Sequence, residues 1–128
     1  MARPRQEGLT PRESQIMEVI WKADQATVEE IRAALKDKLA DSTIRTLLGI
    51  MREKGYVDFH KQSKAKVYRA LVPRDQAQTS ALQQLIQRLF HGSADLLVAR
   101  LVEDEQLSLE EIDRLRQTLK RRRKEKDR

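Results

Sequence analysis

The chain has 128 residues, of which 36% are charged and only 4% aromatic, with 26 lysines and arginines against 20 aspartates and glutamates. It contains no cysteine, which excludes disulfides, thiolate metal sites and cysteine nucleophiles, and its aliphatic runs are far shorter than the ~20 residues that a membrane span needs. The length suits one domain or two small modules, and the net charge of +6 suggests a polyanionic partner.

The positive charge is concentrated in two short blocks. Residues 42–72 carry a net charge of +5 and residues 119–128 carry another +5, whereas residues 1–41 carry −1 and residues 73–118 carry −3. In the first block the charges alternate with apolar residues at regular spacings, so we expect them on a folded surface. Residues 120–128 contain no apolar residue, so this basic tail is expected to be frayed helix or disorder.

Two helices are predicted first. Each begins with a capping box, in which a hydroxyl residue is followed three positions later by glutamate, at Thr10 and at Thr27. The first helix is expected to end near Trp21, and the second is shorter, with Val28 and Ile31 on its apolar face.

A third helix is predicted from Asp41 or Ser42 to Lys54, where a basic last turn is followed by Gly55. Its apolar face at helical spacing consists of Ile44, Leu47, Leu48 and Met51.

Two short segments of alternating polarity, residues 56–61 and 66–72, predict a β-hairpin whose turn is the polar stretch 62–65. Three helices followed by a hairpin are the layout of a winged helix, which is a helix-turn-helix with a trailing hairpin. We therefore place a winged-helix DNA-binding domain at residues 9–72, after an N-terminal arm at residues 1–8.

The rest of the chain is predicted to be helical, with breaks at residues 91–93 and 104–107 and a third capping box at Ser108. Its aliphatic stripes are too small for an independent core, so we expect residues 73–119 to be a homodimerisation module. Two alternatives are that these helices fold back on the winged helix of a monomer or that they form an effector pocket. The residues expected at the dimer contact are Leu82, Leu85, Ile86, Leu89, Phe90, Leu97, Leu101 and Val102.

A helix-turn-helix reads DNA with its second helix in the major groove. In this chain the third predicted helix takes that position. Arg45 is the best candidate for a bidentate guanine contact, and Thr43 and Thr46 are short enough to reach base edges or a thymine methyl group. Lysines of the hairpin would contact phosphates without reading sequence. The residues expected to touch DNA are Thr27, Ser42, Thr43, Arg45, Thr46, Arg52, Lys61, Lys64, Lys66 and Arg69.

Plainer interpretations exist for these features. Hydroxyl residues at a helix start can be simple caps, and lysines at a hairpin tip can protect a strand edge from aggregation. Neither His60 nor His91 has a second ligand at a metal-binding spacing, so no metal site and no cofactor are expected. We find no nucleophile–base pair and no phosphate loop, so we do not expect an enzyme.

Several segments together resemble the BlaI/MecI-type penicillinase repressors, from about residue 8 to residue 119. The resemblance implies a winged-helix dimer that represses transcription by occupying an inverted repeat of TACA/TGTA type. It also implies that Thr43, Arg45 and Thr46 lie on the reading helix. The segments that carry it are residues 9–21, 26–31, 42–48, 54–57, 67–72 and 104–112.

The chain departs from that family at three points. Ile50 stands where many relatives carry a basic residue. One contact to the DNA backbone that the family would make is therefore not expected here. The copper-responsive branch has a C-terminal cysteine cluster that this chain lacks, so copper sensing by that route is excluded. The β-lactam-responsive branch is relieved by cleavage of an Asn-Phe bond, and the aligned bond here joins Arg100 and Leu101. Two ways of relieving repression therefore stay open: cleavage of this bond by a membrane sensor-protease, or a different inducing signal.

The sequence thus predicts a cytoplasmic, dimeric transcriptional repressor without catalytic activity. The cytoplasmic location is expected because the N-terminus lacks the apolar stretch of a secretory signal. The expected partners are double-stranded DNA and a second copy of the chain, with no direct membrane association. One alternative is a winged-helix regulator that senses a small molecule through its helical module. Another is a protein-interaction adaptor, for which the basic block at residues 42–72 would be ordinary solvated surface.

Overall fold

The computed structural model describes residues 8–127, so residues 1–7 of the predicted arm and Arg128 of the tail lie outside the described residues. The chain divides into two compact units, Met1–Ala81 and Leu82–Arg128. Its elements, in chain order, are α1 (Pro11–Ala23), β1 (Gln25–Thr27), α2 (Val28–Ala34), α3 (Asp41–Glu53), β2 (Val57–Gln62), β3 (Ala65–Ala70), α4 (Arg74–Leu89), α5 (Ala94–Glu103) and α6 (Leu109–Lys126). The predicted fold class, mainly helical with a small sheet in a winged-helix arrangement, is confirmed.

The capping boxes set the starts of α1 and α2. The Thr10 hydroxyl accepts the Glu13 N–H at 3.2 Å, while Glu13 Oε1 accepts the Thr10 N–H at 2.8 Å. Thr27 and Glu30 repeat the arrangement at 3.2 and 3.0 Å. Two of the otherwise unpaired N–H groups at each helix start are thereby satisfied, as the local sequence predicts.

Helix α3 begins and ends differently. Its N-cap is Ala40, whose side chain makes no capping hydrogen bond. At its end the Gly55 N–H donates to the Arg52 carbonyl and the Tyr56 N–H donates to the Met51 carbonyl, both at 3.0 Å. This Schellman motif requires a left-handed residue, and Gly55 supplies it with a φ of 89°. The predicted glycine stop is confirmed.

The sheet has three antiparallel strands in the order β1-β3-β2, one more than the sequence predicted. β1 escaped the prediction because three residues are too few to show alternating polarity. The hairpin differs by a few residues from its prediction, since Gln62 pairs with Ala65 and leaves only Ser63 and Lys64 in the turn. β3 ends at Ala70; just beyond it the Leu71 N–H donates to the Tyr56 carbonyl at 2.8 Å, and the Val72 carbonyl accepts the Trp21 indole N–H at 2.9 Å.

The core of the first unit lies between α1, α2, α3 and the sheet. The unit extends beyond the predicted boundary at residue 72, because Ala77 packs against this core and Arg74 forms an ion pair with Glu18 at 3.0 Å. Its fully enclosed apolar side chains are Ile16, Met17, Ile20, Ala26, Ile31, Ile44, Leu48, Met51 and Val57.

The second unit contains the last part of α4 together with α5 and α6, and no residue of these three helices is buried. Its predicted breaks coincide with left-handed residues, Gly92 with a φ of 78° and Glu105 with a φ of 60°. Contrary to the expectation of a frayed or disordered tail, α6 continues through the basic residues to Lys126. Between residues 8 and 127 there is no helix long and apolar enough to cross a membrane.

Candidate nucleic-acid interface

The outward side of α3 carries the predicted reading residues. Ser42, Thr43, Arg45 and Thr46 are all exposed, while Ile44 on the opposite side is fully buried. Because the N-cap of the helix is Ala40, none of these hydroxyl residues is needed as a cap. The burial pattern therefore fixes which face of α3 is available to a partner.

The two outward threonines are not equivalent. The Thr46 hydroxyl donates to the Ser42 carbonyl at 2.9 Å, one turn earlier in the helix. Its proton is thereby engaged within the helix, which leaves its methyl group and its oxygen lone pairs for a partner.

Arg45 is held loosely. Its guanidinium lies 4.0 Å from the Asp41 carboxylate, which also accepts a closer contact from Arg32 at 3.2 Å. The Arg45 side chain is 63% exposed. An exposed ion pair of this kind contributes little free energy, so Arg45 is free to move to a base or a phosphate.

An open groove of about 1020 Å³ separates α3 from the hairpin. Arg45, Gly49 and Arg52 recur at positions i, i+4 and i+7, so they share one stripe of α3 that lines this groove. A Cβ atom added to Gly49 would meet nothing within 4 Å, so the middle of the stripe is open. Lys64 and Lys66 line the groove from the hairpin, and Thr27 lines it from the start of α2.

Arg52 is held by two groups that the sequence analysis did not identify. Its Nε donates to Asp58 Oδ1 at 3.0 Å, and its guanidinium lies 4.7 Å from the centre of the Phe59 ring. Lys66 also contacts that ring, at 4.6 Å. The Phe59 N–H and the Arg52 guanidinium lower the pKa of Asp58 below its ordinary value, so this carboxylate stays charged beside the groove.

The groove is less basic than the sequence block suggested. Four basic side chains line it, and three carboxylates, those of Glu29, Glu53 and Asp58, line it as well. Its charges are therefore nearly balanced, and Arg52 is already engaged by one of the carboxylates.

The hairpin divides its predicted DNA contacts between two faces. Lys61 lies directly across from Lys66, and this like-charged pair lies on the face of the hairpin that carries Phe59. Arg69 lies across from Asp58 on the alternate face, and it does not line the groove. Of the ten residues predicted to touch DNA, five line the groove: Thr27, Arg45, Arg52, Lys64 and Lys66.

Three of the eight predicted dimer residues are exposed in the described part of the chain. Leu82, Leu85 and Leu89 are 48%, 39% and 68% exposed. The other five predicted residues are half-buried: Ile86, Phe90, Leu97, Leu101 and Val102. Further exposed apolar side chains of these helices are Leu96, Val98, Leu109, Leu115 and Leu119.

Metal-binding geometry is not found in the described part of the chain, where no three His, Asp or Glu side chains lie together in a way that could hold an ion. His60 and His91 are both exposed.

Residues 9–121 match the family model described as penicillinase repressor. The chain is 31% identical over 114 residues to the methicillin resistance regulatory protein MecI of Staphylococcus aureus strain N315, covering 86% of this chain and 91% of that protein. It is 30% identical over 118 residues to the penicillinase repressor of Bacillus licheniformis, covering 88% and 92% of the two chains.

Among solved structures, the chain is similar to an ArsR family transcriptional regulator, RHA00566, with 17% identity and a TM-score of 0.43. That likeness covers 66% of this chain and 84% of the other. The winged helix is identified here by element order and strand register rather than by this likeness.

Proposed function

Because this chain belongs to the penicillinase repressor family, whose members are winged-helix transcriptional repressors and not enzymes, we propose that it represses transcription as a homodimer on an inverted-repeat operator of TACA/TGTA type. The observation that carries the proposal is the outward face of α3, where Thr43, Arg45 and Thr46 are exposed while the opposite side is anchored in the core. The protein acts in the cytoplasm, where its DNA partner lies, and requires no cofactor.

The reading helix supplies the specific contacts. Arg45 can reach the O6 and N7 acceptors of a guanine, which is worth ~1–3 kcal/mol of discrimination per base pair. The Thr46 methyl group suits a thymine methyl, because the hydroxyl proton of this residue is already donated to Ser42. Thr43 and Ser42 are the further polar groups on this face.

The hairpin serves as a wing that holds the duplex by its phosphates. Lys61, Lys64 and Lys66 lie at or near its tip and are exposed. Phosphate contacts position a protein on DNA without reading sequence. Arg52 joins them when a phosphate displaces Asp58 from its guanidinium.

The helical second unit joins two copies of the chain. None of the residues of α4, α5 and α6 is buried, although the unit is rich in leucine. Leu89 and Leu109, at 68% and 69% exposure, would be costly to leave in water, and a second copy offers a matching surface. A two-fold dimer would place the two reading helices one helical turn of DNA apart, ~34 Å.

Relief of repression by a membrane sensor-protease remains a prediction. The Arg100–Leu101 bond lies inside α5, and Arg100 forms an ion pair with Glu103 at 3.4 Å. Proteases cut exposed, extended segments. Cleavage at this bond therefore requires α5 to unwind first.

Footprinting of the purified full-length chain on the DNA upstream of its own gene tests the proposal. We expect protection of an inverted repeat whose half-sites are centred about 10 base pairs, or a multiple of that, apart. Protection of a single asymmetric half-site, or of no particular sequence, would contradict the dimeric operator model. The double variant Arg45→Ala, Thr46→Ala serves as the control, because it should lose the footprint while remaining folded.

A further inference from the structure

The strongest charged surface that the reading function leaves unused is the end of α6. Six of the seven residues from Lys120 to Lys126 are lysine or arginine, interrupted only by Glu125. All seven are exposed, and the helix continues through them. Among the residues that the structure describes, none of these six basic side chains takes part in an ion pair. We call residues 120–126 the basic end of α6.

The lysine and arginine side chains of the basic end of α6 repel one another. Lys120 and Lys124 are four residues apart on the helix, as are Arg122 and Lys126, and like charges at that spacing destabilise a helix. Two or three cations in a last turn are explained by the helix dipole, but six along nearly two turns are not. A polyanion that neutralises these charges would remove the repulsion and stabilise the helix.

The basic end of α6 also lacks the apolar face that would bury it against an apolar protein surface or in a membrane. Its side chains are charged all round the helix, so it has no apolar face to bury. Helices that lie in a membrane interface combine a basic face with aromatic or aliphatic residues, and residues 120–126 contain none. The chemistry that remains suits a phosphate backbone.

The groove between α3 and the hairpin supplies few unpaired cations of its own, which leaves a role for the basic end of α6. The four basic side chains of the groove face three carboxylates, so the groove itself carries little net positive charge. Sequence-independent attraction to duplex DNA depends on the number of phosphates that lysines and arginines neutralise. The basic end of α6 holds more unopposed cations than the groove does. It lies largely outside the family match, which ends at residue 121.

We propose that the basic end of α6 is a second DNA contact, which binds the phosphate backbone of duplex DNA without reading its sequence. The inference rests on the proposed repressor function and assigns the tail a separate role in it: the groove selects the operator, and the tail raises affinity for any duplex.

The test compares three full-length proteins: the unaltered chain, a variant with all six basic residues of the basic end replaced by glutamine, and an Arg114→Gln, Arg116→Gln control. Glutamine is nearly as good a helix former as lysine or arginine, so the variant should keep its helix. The control removes two cations from the part of α6 that the family model matches. Binding to the footprinted operator and to a scrambled duplex of equal length is measured by fluorescence anisotropy over a range of salt concentrations, and dimer mass is checked by sedimentation.

We expect the tail variant to bind both duplexes at least about tenfold more weakly near 0.1 M salt, with an unchanged ratio between the two affinities. If each tail neutralises three phosphates, the log–log salt slope should become shallower by about 2.7 per chain, while the control loses little. An unchanged slope would overturn the proposal, and so would a loss confined to the operator.

Two further probes exclude other polyanions. If the unaltered chain binds an RNA duplex of the same sequence or phosphatidylserine vesicles more tightly than the six-glutamine variant does, while both proteins bind DNA equally, the DNA assignment is wrong. Failure of the repressor function itself would look different, because the unaltered chain would then bind operator and scrambled duplex equally.

Discussion

The ammonium group of Lys54 donates to Glu13 Oε1 at 2.8 Å and joins the end of α3 to the first turn of α1. The Glu13 side chain is 2% exposed and that of Lys54 13%, so the ion pair is largely withdrawn from water. Lys54 donates a second hydrogen bond to the Gly8 carbonyl at 3.1 Å, and Glu13 accepts the Thr10 N–H. This contact fixes one end of the reading helix to the body of the winged helix.

We expect Lys54→Met to destabilise the protein by about 3 kcal/mol, because it leaves the Glu13 carboxylate buried without its counter-charge. Glu13→Gln should also destabilise, although its amide oxygen can still accept the Thr10 N–H. The double variant should lose less than the two single losses together, because no unpaired charge remains. Urea denaturation of the four proteins measures these values, and fully additive losses would show that the two side chains are not coupled.

The same ion pair makes stability depend on pH. Burial by itself raises the pKa of Glu13, but the hydrogen bonds from Lys54 and from the Thr10 N–H lower it below its ordinary value of 4.5. The folded state therefore binds this proton less readily than the unfolded state does. The stabilisation is fully present above pH 4.5 and is lost as the pH falls below that value. The stability difference between the unaltered chain and Glu13→Gln should thus narrow on acidification, and a constant difference from about pH 7 to pH 3 would contradict this.

Substitutions on the reading helix should separate base contacts from structure. Arg45→Ala should weaken operator binding by ~1–3 kcal/mol, roughly 5- to 150-fold, and relax specificity at one base pair. Thr46→Val should bind nearly normally, because the Thr46 hydroxyl proton already serves Ser42 and valine keeps a methyl group in place. Arg12→Ala is a suitable control, since Arg12 pairs with Asp37 and does not line the groove. If Arg45→Ala and Arg12→Ala have the same effect in an anisotropy titration, Arg45 is not a reading residue.

Asp58 is expected to restrain DNA binding. Asp58→Asn removes a carboxylate from the groove and releases Arg52 from its 3.0 Å ion pair. We therefore expect severalfold tighter binding to operator and scrambled duplexes alike, with a salt slope steeper by about 0.9 if Arg52 gains one phosphate. Asp37→Asn removes an equal charge away from the groove and should change neither quantity. Weaker binding by Asp58→Asn would mean that Asp58 orients Arg52 for DNA rather than competing with DNA for it.

The sequence revealed mainly what is local. The capping boxes at Thr10, Thr27 and Ser108 join residues that are three positions apart, so they can be recognised in the sequence alone. The structure confirms all three. The burial of α3 followed from the helical spacing of its apolar residues. Together with the alternating polarity of residues 56–61 and 66–72, these features predicted the winged helix.

Contacts between distant residues were missed. Glu13 and Lys54 are 41 positions apart, and Glu13 already had a sufficient local explanation in its capping box. The placement of Arg69 depends on strand register, in which each residue faces the opposite side from its neighbour. Nothing in the composition of residues 42–72 shows that Asp58 neutralises Arg52 or that Glu29, from another helix, lines the same groove.

Dimerisation through the second unit is tested by placing a charge on its exposed apolar stripe. Leu89 is 68% exposed in the single chain and lies at helical spacing from Leu82 and Leu85. Leu89→Asp would bury an unpaired carboxylate in the dimer contact, which costs several kcal/mol. We expect this variant to sediment as a monomer and to bind the operator only as weakly as one winged helix binds one half-site. Circular dichroism should show that the fold of the first unit is intact. Gln87→Asp adds the same charge to the same helix off the stripe and should remain dimeric. A dimeric Leu89→Asp protein would exclude this face of α4 as the contact between the two copies.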